Sequence, residues 1–567
     1  AALGAMVASM QGAEASLLPP VQALERPALI PLSFSQERLW FLEQLHEVNE
    51  VYHISGAVWL KGRLDVSALE RSLQQVVERH EALRTAFRTV GGEGAQRVVA
   101  GEFVLSFSAL AGADDQDARV ARLMHEELVR PFDLAGGKLF RAALLRVADD
   151  EHLLVLTMHH IGADGWSIDV LLDEMSAAYT ALVQGRASPL APLPVQYADY
   201  ALWQRQWLQG DVLERQLSYW KQQLAGAPAL EMPTDHARPA VASFRGAVLH
   251  FSLPRSLSEA LNELARREGA TLFMVLMAAY QTLLSRWSGQ RDVVVGTPIA
   301  GRRQQELEGL IGFFVNTLVI RSDLSDGPDF LALLARVRET ALGAFAHQDL
   351  PFEKLVEALQ PVRDLSRQPI APVQFVLANT AELAVSLPEL QVSLAATPKI
   401  TSAFDLNLSL KETSEGLIGV FEYATDLFDA GTIDRLAAAL RVLLEAIVAD
   451  PARSVATLPL IAPDERVRLL GSGAPESGTP TSILAMIGDQ VVRTPEATAV
   501  ICGGRSLSYR ELDARANRLA NHLRTLGVGP DVPVGLCLGR SVDMLVGVLA
   551  ILKAGGAYLP IDPSYPA

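Results

Sequence analysis

Two adjacent imidazoles carry the strongest chemical signal in the chain, in the stretch His159-His160-Ile161-Gly162-Ala163-Asp164-Gly165-Trp166-Ser167. An imidazole with a reference pKa of about 6.5 exchanges protons near neutral pH. A helix start just downstream offers unpaired N–H groups for a developing oxyanion. Both suit acyl transfer. Gly165 has no Cβ, so a substrate can approach the backbone closely. No cysteine lies near the stretch and no Gly-x-Ser-x-Gly elbow occurs. Direct attack by an external nucleophile on a bound acyl donor is therefore simpler than a covalent acyl-enzyme. A plainer account stands beside this one: satisfied loop histidines, Asp164 as an N-cap, Gly165 in a turn and Trp166 as a core anchor. A metal pair is disfavoured, because neighbouring residues of an extended segment point to opposite sides and no carboxylate or cysteine ligand pattern accompanies them.

The surrounding elements must position these side chains. Leu153 to Met158 is an apolar run without polar alternation, the pattern of a short strand buried on both faces. Ile168, Leu171, Leu172, Met175, Ala178, Tyr179 and Leu182 recur at helical spacing, with Asp164 or Ser167 available as the cap. The imidazoles thus stand where a buried strand ends and shortly before a helix begins. Upstream, Leu32 to Leu42 forms a capped helix, started by Ser35 with Arg38 or by Ser33 with Gln36. A strand at Ala57 to Leu60 and a helix from Val66 to about His80 follow. Strand, helix, strand, site and helix in that order belong to a mixed α/β layer fold. A similar series recurs: a strand at Ala247 to Leu253, helices at Ser258 to Glu268 and Leu272 to Trp287, and a strand at Asp292 to Gly296. A hairpin over Phe404 to Tyr423 and a helix at Ile433 to Val448 close it. Two lobes of related build are expected, joined between Gln184 and Pro233.

With 567 residues, the chain exceeds what one core usually holds. A 49% hydrophobic and 20% charged composition is that of a globular protein, and a net charge of -16 argues against a nucleic-acid surface. Two cysteines, Cys502 and Cys537, supply neither a disulfide framework nor a zinc site and fit a reducing, cytoplasmic setting. The longest apolar runs are too short to span a bilayer, so no membrane partner is expected. The N-terminus carries no basic region ahead of its apolar residues and reads as cut from a longer polypeptide. Prolines and glycines cluster at Gly12 to Pro31 and again at Asp450 to Ser482, where linkers are expected. After the second cluster an α/β pattern restarts and ends before a layer of ordinary size is complete.

The histidine stretch resembles the HHxxxDG motif of condensation domains of nonribosomal peptide synthetases, relatives of chloramphenicol acetyltransferase. Ser33 to Leu42 (SFSQERLWFL), Arg79 to Phe87 (RHEALRTAF), Tyr197 to Gln204 (YADYALWQ), Ile311 to Arg321 (IGFFVNTLVIR), His347 to Leu355 (HQDLPFEKL) and Arg363 to Gln368 (RDLSRQ) resemble other segments of that family, in family order. The chain departs from it after Arg367, where Gln368-Pro369-Ile370-Ala371 replaces Asn-Pro followed by an aromatic. Leu507 to Leu512 and Leu552 to Pro560 resemble the first two segments of an adenylation domain, and Ala1 to Gln11 resembles the last helix of a carrier domain. The fold implied is α/β: two chloramphenicol acetyltransferase-like lobes in a V-shaped pseudo-dimer with a central channel, plus a partial α/β adenylation subdomain. The organisation implied is a carrier tail and linker at 1–30, an N-terminal lobe at 31–205, a C-terminal lobe at 206–458, a linker at 459–482 and an adenylation fragment at 483–567. That fragment lacks a phosphate loop and catalytic lysine and is assigned no active site.

The resemblance also implies roles. His160, His159, Asp164 and Gly165 form the catalytic group, with His160 the main catalytic side chain and His159 mostly supporting the loop. Asp164 is ion-paired with an arginine, Arg302 first and Arg84 second, and Gly165 lies at the channel. Trp166, Ser167 and Asn316 contribute to substrate binding, Asn316 from the other lobe. No cofactor is bound directly. Donor and acceptor arrive as thioesters on phosphopantetheine arms of upstream and downstream carrier domains, and the synthetase's own adenylation domain is a further partner. An α-amino group has a reference pKa of about 7.7 to 8.0, so little base strength is needed, and His160 is expected to position the amine and accept its proton late. Epimerization domains share both histidines, but Gly165-Trp166 directly after Asp164 and a following adenylation segment favour condensation. Heterocyclization domains carry paired aspartates instead. A catalytically silent platform that recruits partner enzymes would have lost the second histidine.

Overall fold

The computed structural model describes residues 18–45, 49–110, 115–361, 364–378, 385–397, 399–471 and 482–564. It divides into two compact units, Ala1–Ala462 and Pro463–Ala567. The expected carrier helix at Ala1 to Gln11 lies outside the described residues.

The first half of unit 1 runs α1 (Phe34–Leu45), β1 (His53–Gly62), α2 (Val66–Arg79), β2 (Thr85–Val90), β3 (Glu93–Val98), β4 (Ser106–Ala109), α3 (Gln116–Val129), β5 (Phe140–Ala148), β6 (Glu151–His159), α4 (Gly165–Val183), α5 (Tyr197–Trp207) and α6 (Gly210–Gln223). The second half runs β7 (Gly246–Pro254), α7 (Arg255–Arg267), α8 (Leu272–Ser288), β8 (Asp292–Ile299), β9 (Asn316–Asp323), α9 (Phe330–Ala346), α10 (Phe352–Leu359), β10 (Val373–Ala378), β11 (Leu390–Leu394), β12 (Leu406–Thr413), β13 (Gly416–Ala424) and α11 (Ala430–Ala449). Two main sheets result, a five-stranded one ordered β11-β1-β6-β5-β4 and a six-stranded one ordered β9-β8-β10-β12-β13-β7.

The apolar run before the histidines is the middle strand of the first sheet, and its alternation explains its composition. Leu154, Leu156 and Met158 pack with Leu69, Leu73 and Val76 of α2 and with Leu171, Leu172 and Met175 of α4. Leu153 and Val155 pack on the opposite face with Val120 and Met124 of α3. A strand buried on both faces has no polar side to show. At the start of α1, Ser33 and Gln36 bond reciprocally, Gln36 N–H to Ser33 Oγ and Ser33 N–H to Gln36 Oε1, which is the second of the two caps expected there.

Three features depart from the sequence reading. First, β11 belongs to the second half of the chain yet pairs antiparallel with β1 of the first sheet, so the lobes share a strand as well as a joint. A five-residue crossover strand leaves little periodic signal. Second, the proline-rich entry is packed rather than free: Val21 is buried, Pro19 O accepts from Trp203 Nε1 at 3.0 Å, and Arg26 reaches Asp199 and Glu81. Third, the break after Asp450 is only partly a linker. Val455 and Leu458 are buried in the second core, Arg286 donates to both of their carbonyls, and Pro463–Gly471 is helical. Residues 472–481 lie outside the described residues.

Unit 2 holds α12 (Pro463–Gly471), α13 (Ile483–Arg493), the antiparallel pair β14 (Thr498–Cys502) and β15 (Arg505–Ser508), α14 (Tyr509–Thr525), α15 (Val542–Ala554) and the parallel pair β16 (Pro533–Leu536) and β17 (Ala557–Pro560). Among the described residues, no helix is long and apolar enough to cross a membrane.

Candidate active site

The site forms where β6 ends. His160 N–H donates to Tyr52 O at 2.8 Å, pinning the first residue beyond the strand to the segment that enters β1. Asp164 then caps α4 in extended backbone: its Oδ1 accepts from Ser167 N–H at 3.0 Å, and Ser167 Oγ accepts from Asp164 N–H at 3.1 Å. The loop between the strand and the helix is therefore held at both ends.

A segment of the second half completes it. Residues 300–315, between β8 and β9, lie against the first lobe, where Leu307, Leu310, Phe313 and Phe314 share a core with Ile161, Tyr197 and Tyr200. Arg302 donates to both Asp164 oxygens, at 2.7 and 3.1 Å, and to Leu307 O and Leu310 O. Phe314 N–H donates to Asp164 Oδ2 at 3.0 Å, and Ser167 Oγ–H donates to Oδ1 at 2.8 Å. With five donors around it and side-chain exposures of 3% for Asp164 and 1% for Arg302, this carboxylate has no room for substrate. Gly312 permits the approach, since a Cβ there would sit 2.2 Å from the Tyr197 ring.

A cavity of about 480 Å³ lies between the two sheets, with His160, Gly165, Tyr52, His53 and Ser55 on one side and Phe313, Val315, Thr317, Gln374, Asn407 and Glu422 on the other. A Cβ on Gly165 would meet nothing within 4 Å, so the position is open. A larger apolar cavity of about 790 Å³, bordered by Phe41, Leu42, Val241, Phe244 and Leu365, shares Arg38, Tyr52, Glu353, Gln368, Ala403 and Phe404 with the first.

The imidazoles differ sharply. His159 is 1% exposed, its Nδ1 accepts from Ile161 N–H at 3.1 Å, and it does not line the cavity. Burial holds it well below its ordinary pKa, and nearby His53 and His160 add to the effect. His53 pairs with His159 across β1 and β6, and burial pushes it down to about 4. His160 is half-buried on the cavity wall, and its Nδ1 is enclosed without a partner at hydrogen-bond geometry. Burial lowers its pKa, opposed by the Asp164 charge and the backbone of His160 and Ala163, and Lys399 lowers it further. His160 is thus a neutral imidazole at pH 7, able to accept a proton from a bound amine. Among the described residues no cluster of three or more His, Cys, Asp or Glu is placed to hold a metal.

Several expected site residues sit elsewhere. Arg84 donates to Val99 O and Glu78 O and does not reach Asp164. Asn316 is turned away from the cavity: it donates to Gln348 O and Leu350 O and accepts from Phe352 N–H. Strand alternation is the reason, because Val315 and Thr317 take the cavity side and leave Asn316 the other. Ser167 is fully buried in the cap, and its N–H is taken by Asp164 instead of facing an oxyanion. Trp166 is 43% exposed and donates to Glu308 O, off the cavity wall. Of the four residues expected to carry catalysis, His160 and Gly165 reach the cavity and His159 and Asp164 do not. Phe313, Tyr52 and His53 are the neighbours that sequence reasoning passed over; Phe313 stood inside the quoted Ile311 to Arg321 segment, where period-two alternation points to it.

The condensation domain family matches residues 28–470, and the AMP-binding enzyme family matches 487–567. One linear gramicidin synthase protein of Brevibacillus parabrevis is 45% identical over 556 residues, 96% of this chain and 7% of that protein. The chain spans 7% to 11% of the length of the first curated relatives it matches. Among solved structures, the X-domain from teicoplanin biosynthesis is 34% identical with a TM-score of 0.72, covering 78% of this chain and 100% of that one. A four-domain nonribosomal peptide synthetase bound to AMP and glycine is 25% identical with a TM-score of 0.81, covering 97% of this chain and 43% of that one.

Proposed function

Because the chain belongs to the condensation domain family of nonribosomal peptide synthetases, whose members transfer acyl groups, we propose that unit 1 joins two carrier-bound substrates through a peptide bond. The donor is an aminoacyl or peptidyl thioester on an upstream carrier domain. The acceptor is an aminoacyl thioester on a downstream one. The acceptor's α-amino nitrogen attacks the donor carbonyl carbon; the C–N bond forms, the C–S bond breaks, and the phosphopantetheine thiol of the upstream carrier departs. His160 receives the amine proton as the bond forms and returns it to the leaving sulfur. The observation that carries this reading is the placement of His160 on the wall of a cavity between two sheets, beside the open backbone of Gly165. The adjoining apolar cavity supplies room for one arm.

In this reading Asp164 and Arg302 hold the loop, His159 packs beneath it, and orientation of the two substrates supplies much of the rate, since a positioned amine near its own pKa needs only modest base strength. Unit 2, matched to the AMP-binding enzyme family, is the start of the adenylation partner. A second reading follows from the X-domain likeness, because a relative of that kind has been solved in complex with OxyB: unit 1 would then recruit a partner enzyme. An epimerization reading shares the same histidines. Offering the protein separately loaded donor and acceptor carriers and reading products by mass spectrometry and chiral analysis separates the three. A new peptide bond supports condensation, an inverted α-carbon supports epimerization, and no product with retained partner binding supports recruitment.

A further inference from the structure

The aromatic ring packed on His160 comes from the other half of the chain: Phe313 meets the imidazole edge-to-face, with ring centroids 4.8 Å apart and an interplanar angle of 64°. Phe313 is 9% exposed and lines the same cavity. Its backbone is fixed on every side. Tyr197 Oη–H donates to Phe313 O at 2.7 Å, Gly312 N–H donates to Ser167 Oγ, Phe314 N–H donates to Asp164, and Ile311 N–H donates to His80 Nδ1 at 3.2 Å. His80 is itself held by Glu174 at 2.8 Å. The ring is therefore delivered to one place, against an imidazole whose Nδ1 lacks a partner at hydrogen-bond geometry, and it adds to the backbone of His160 and Ala163 in setting the rotamer.

We propose that Phe313 is a positioning residue for His160: its ring selects the imidazole rotamer that faces the acceptor amine and shields the imidazole's inner side from water. This rests on the reading of His160 as the acting group. Edge-to-face contact of this kind contributes beyond simple burial, and imidazole with a phenyl neighbour keeps one orientation where a small side chain would leave several. The shielding also helps keep the ring neutral, because burial is the largest cause of its lowered pKa. The charged and titratable groups around His160 are Asp164, Lys399 and His159, together with Arg38, Glu50, Tyr52, His53, Glu353 and Glu422 on the shared cavity wall, none of which the substitutions below alter.

The test uses the full 567-residue chain as wild type, Phe313→Ala and Phe313→Leu, with Phe313→Val in place of Ala where melting shows that Ala does not fold. Two readouts run in parallel: kcat and KM with loaded carriers across pH, and NMR titration of the His160 ring in histidine-labelled protein, assigned with His160→Gln. The Ala variant should lose about tenfold in kcat with KM within about twofold, and both the acid limb and the ring midpoint should move up by about one pH unit. Leu, which keeps the apolar bulk, should recover most of both. Unmoved ring and limb in the truncated variant overturn the proposal, as does a Leu variant as impaired as Ala. A wild-type protein that makes no peptide bond while its His160 midpoint still moves on truncation sinks the condensation reading and leaves Phe313's hold on the ring intact.

Discussion

Replacing Arg302 by Ala should cost unit 1 about 3 to 5 kcal/mol, because it strands a buried carboxylate. The side chains of Arg302 and Asp164 are 1% and 3% exposed, so solvent cannot take the place of the lost partner. Two charge-assisted bonds disappear, and the carbonyls of Leu307 and Leu310 lose a donor. Asp164 keeps Ser167 N–H, Ser167 Oγ–H and Phe314 N–H, which places the loss nearer the lower figure. Asp164→Asn retains an oxygen for the helix cap but leaves the guanidinium uncompensated, and a double-mutant cycle should give a coupling of about 3 kcal/mol. Arg303, 34% exposed and paired with Asp349, is the control, and its removal should cost less than about 1 kcal/mol. All seven tryptophans precede residue 463, so fluorescence during urea unfolding of the full chain reports unit 1 alone. Turnover should fall on the order of a hundredfold in Arg302→Ala, since the loop that carries His160 loses its charged tie to the second lobe and keeps the neutral ones from the backbone N–H groups of Gly312 and Phe314. A loss below 1 kcal/mol together with no measurable coupling refutes the reasoning.

Three further outcomes follow from the same geometry. Asn316→Ala removes the ties to Gln348 O, Leu350 O and Phe352 N–H and should lower stability by about 2 kcal/mol in urea while leaving KM for both carriers close to wild type. Gly165→Leu should fold normally, because nothing stands within 4 Å of its Cβ position, yet fill part of the cavity and raise KM or abolish turnover in the loaded-carrier assay. Acid should destabilise unit 1: the folded pKa values of His53, at about 4, and of His159 lie below the unfolded value of about 6.5, so stability is full above that pH and falls as pH drops. The expected slope is about 1.4 kcal/mol per pH unit for each histidine, measurable by urea unfolding at several pH values between 7 and 4.

Much of the local structure was legible because buried strands and amphipathic helices leave periodic signals. Leu153 to Met158 reads as a two-faced strand from its lack of polar residues alone, and Asp164 reads as a cap from its place before a helical repeat. The partner of Asp164 needed more: the family resemblance put Arg302 first and Arg84 second, and the crossing of residues 300–315 onto the first lobe brings Arg302 to the carboxylate while Arg84 bonds elsewhere. Asn316 shows where a local pattern falls short of a side chain's placement. A polar residue in a recognisable segment invites a functional role, whereas the alternation of β9 turns its side chain into its own lobe and gives the cavity to Val315 and Thr317. The shared strand β11 was invisible because five residues paired with a strand more than 300 positions away carry no local pattern. Alternation points Phe313 to the cavity side, but its contact with His160 carries no local signal, since it spans the two halves of the chain.

The most direct measurement compares His160→Ala with wild type in single-turnover condensation between a loaded donor carrier and a loaded acceptor carrier, followed across pH by mass spectrometry. The wild-type rate should rise through an acid limb lying below pH 6.5, the ordinary imidazole value from which burial lowers His160. The Ala variant should be slower by about a hundredfold or more, with that limb gone. An Ala variant that turns over at the wild-type rate with the same pH profile would contradict the assignment of the chemistry to this residue.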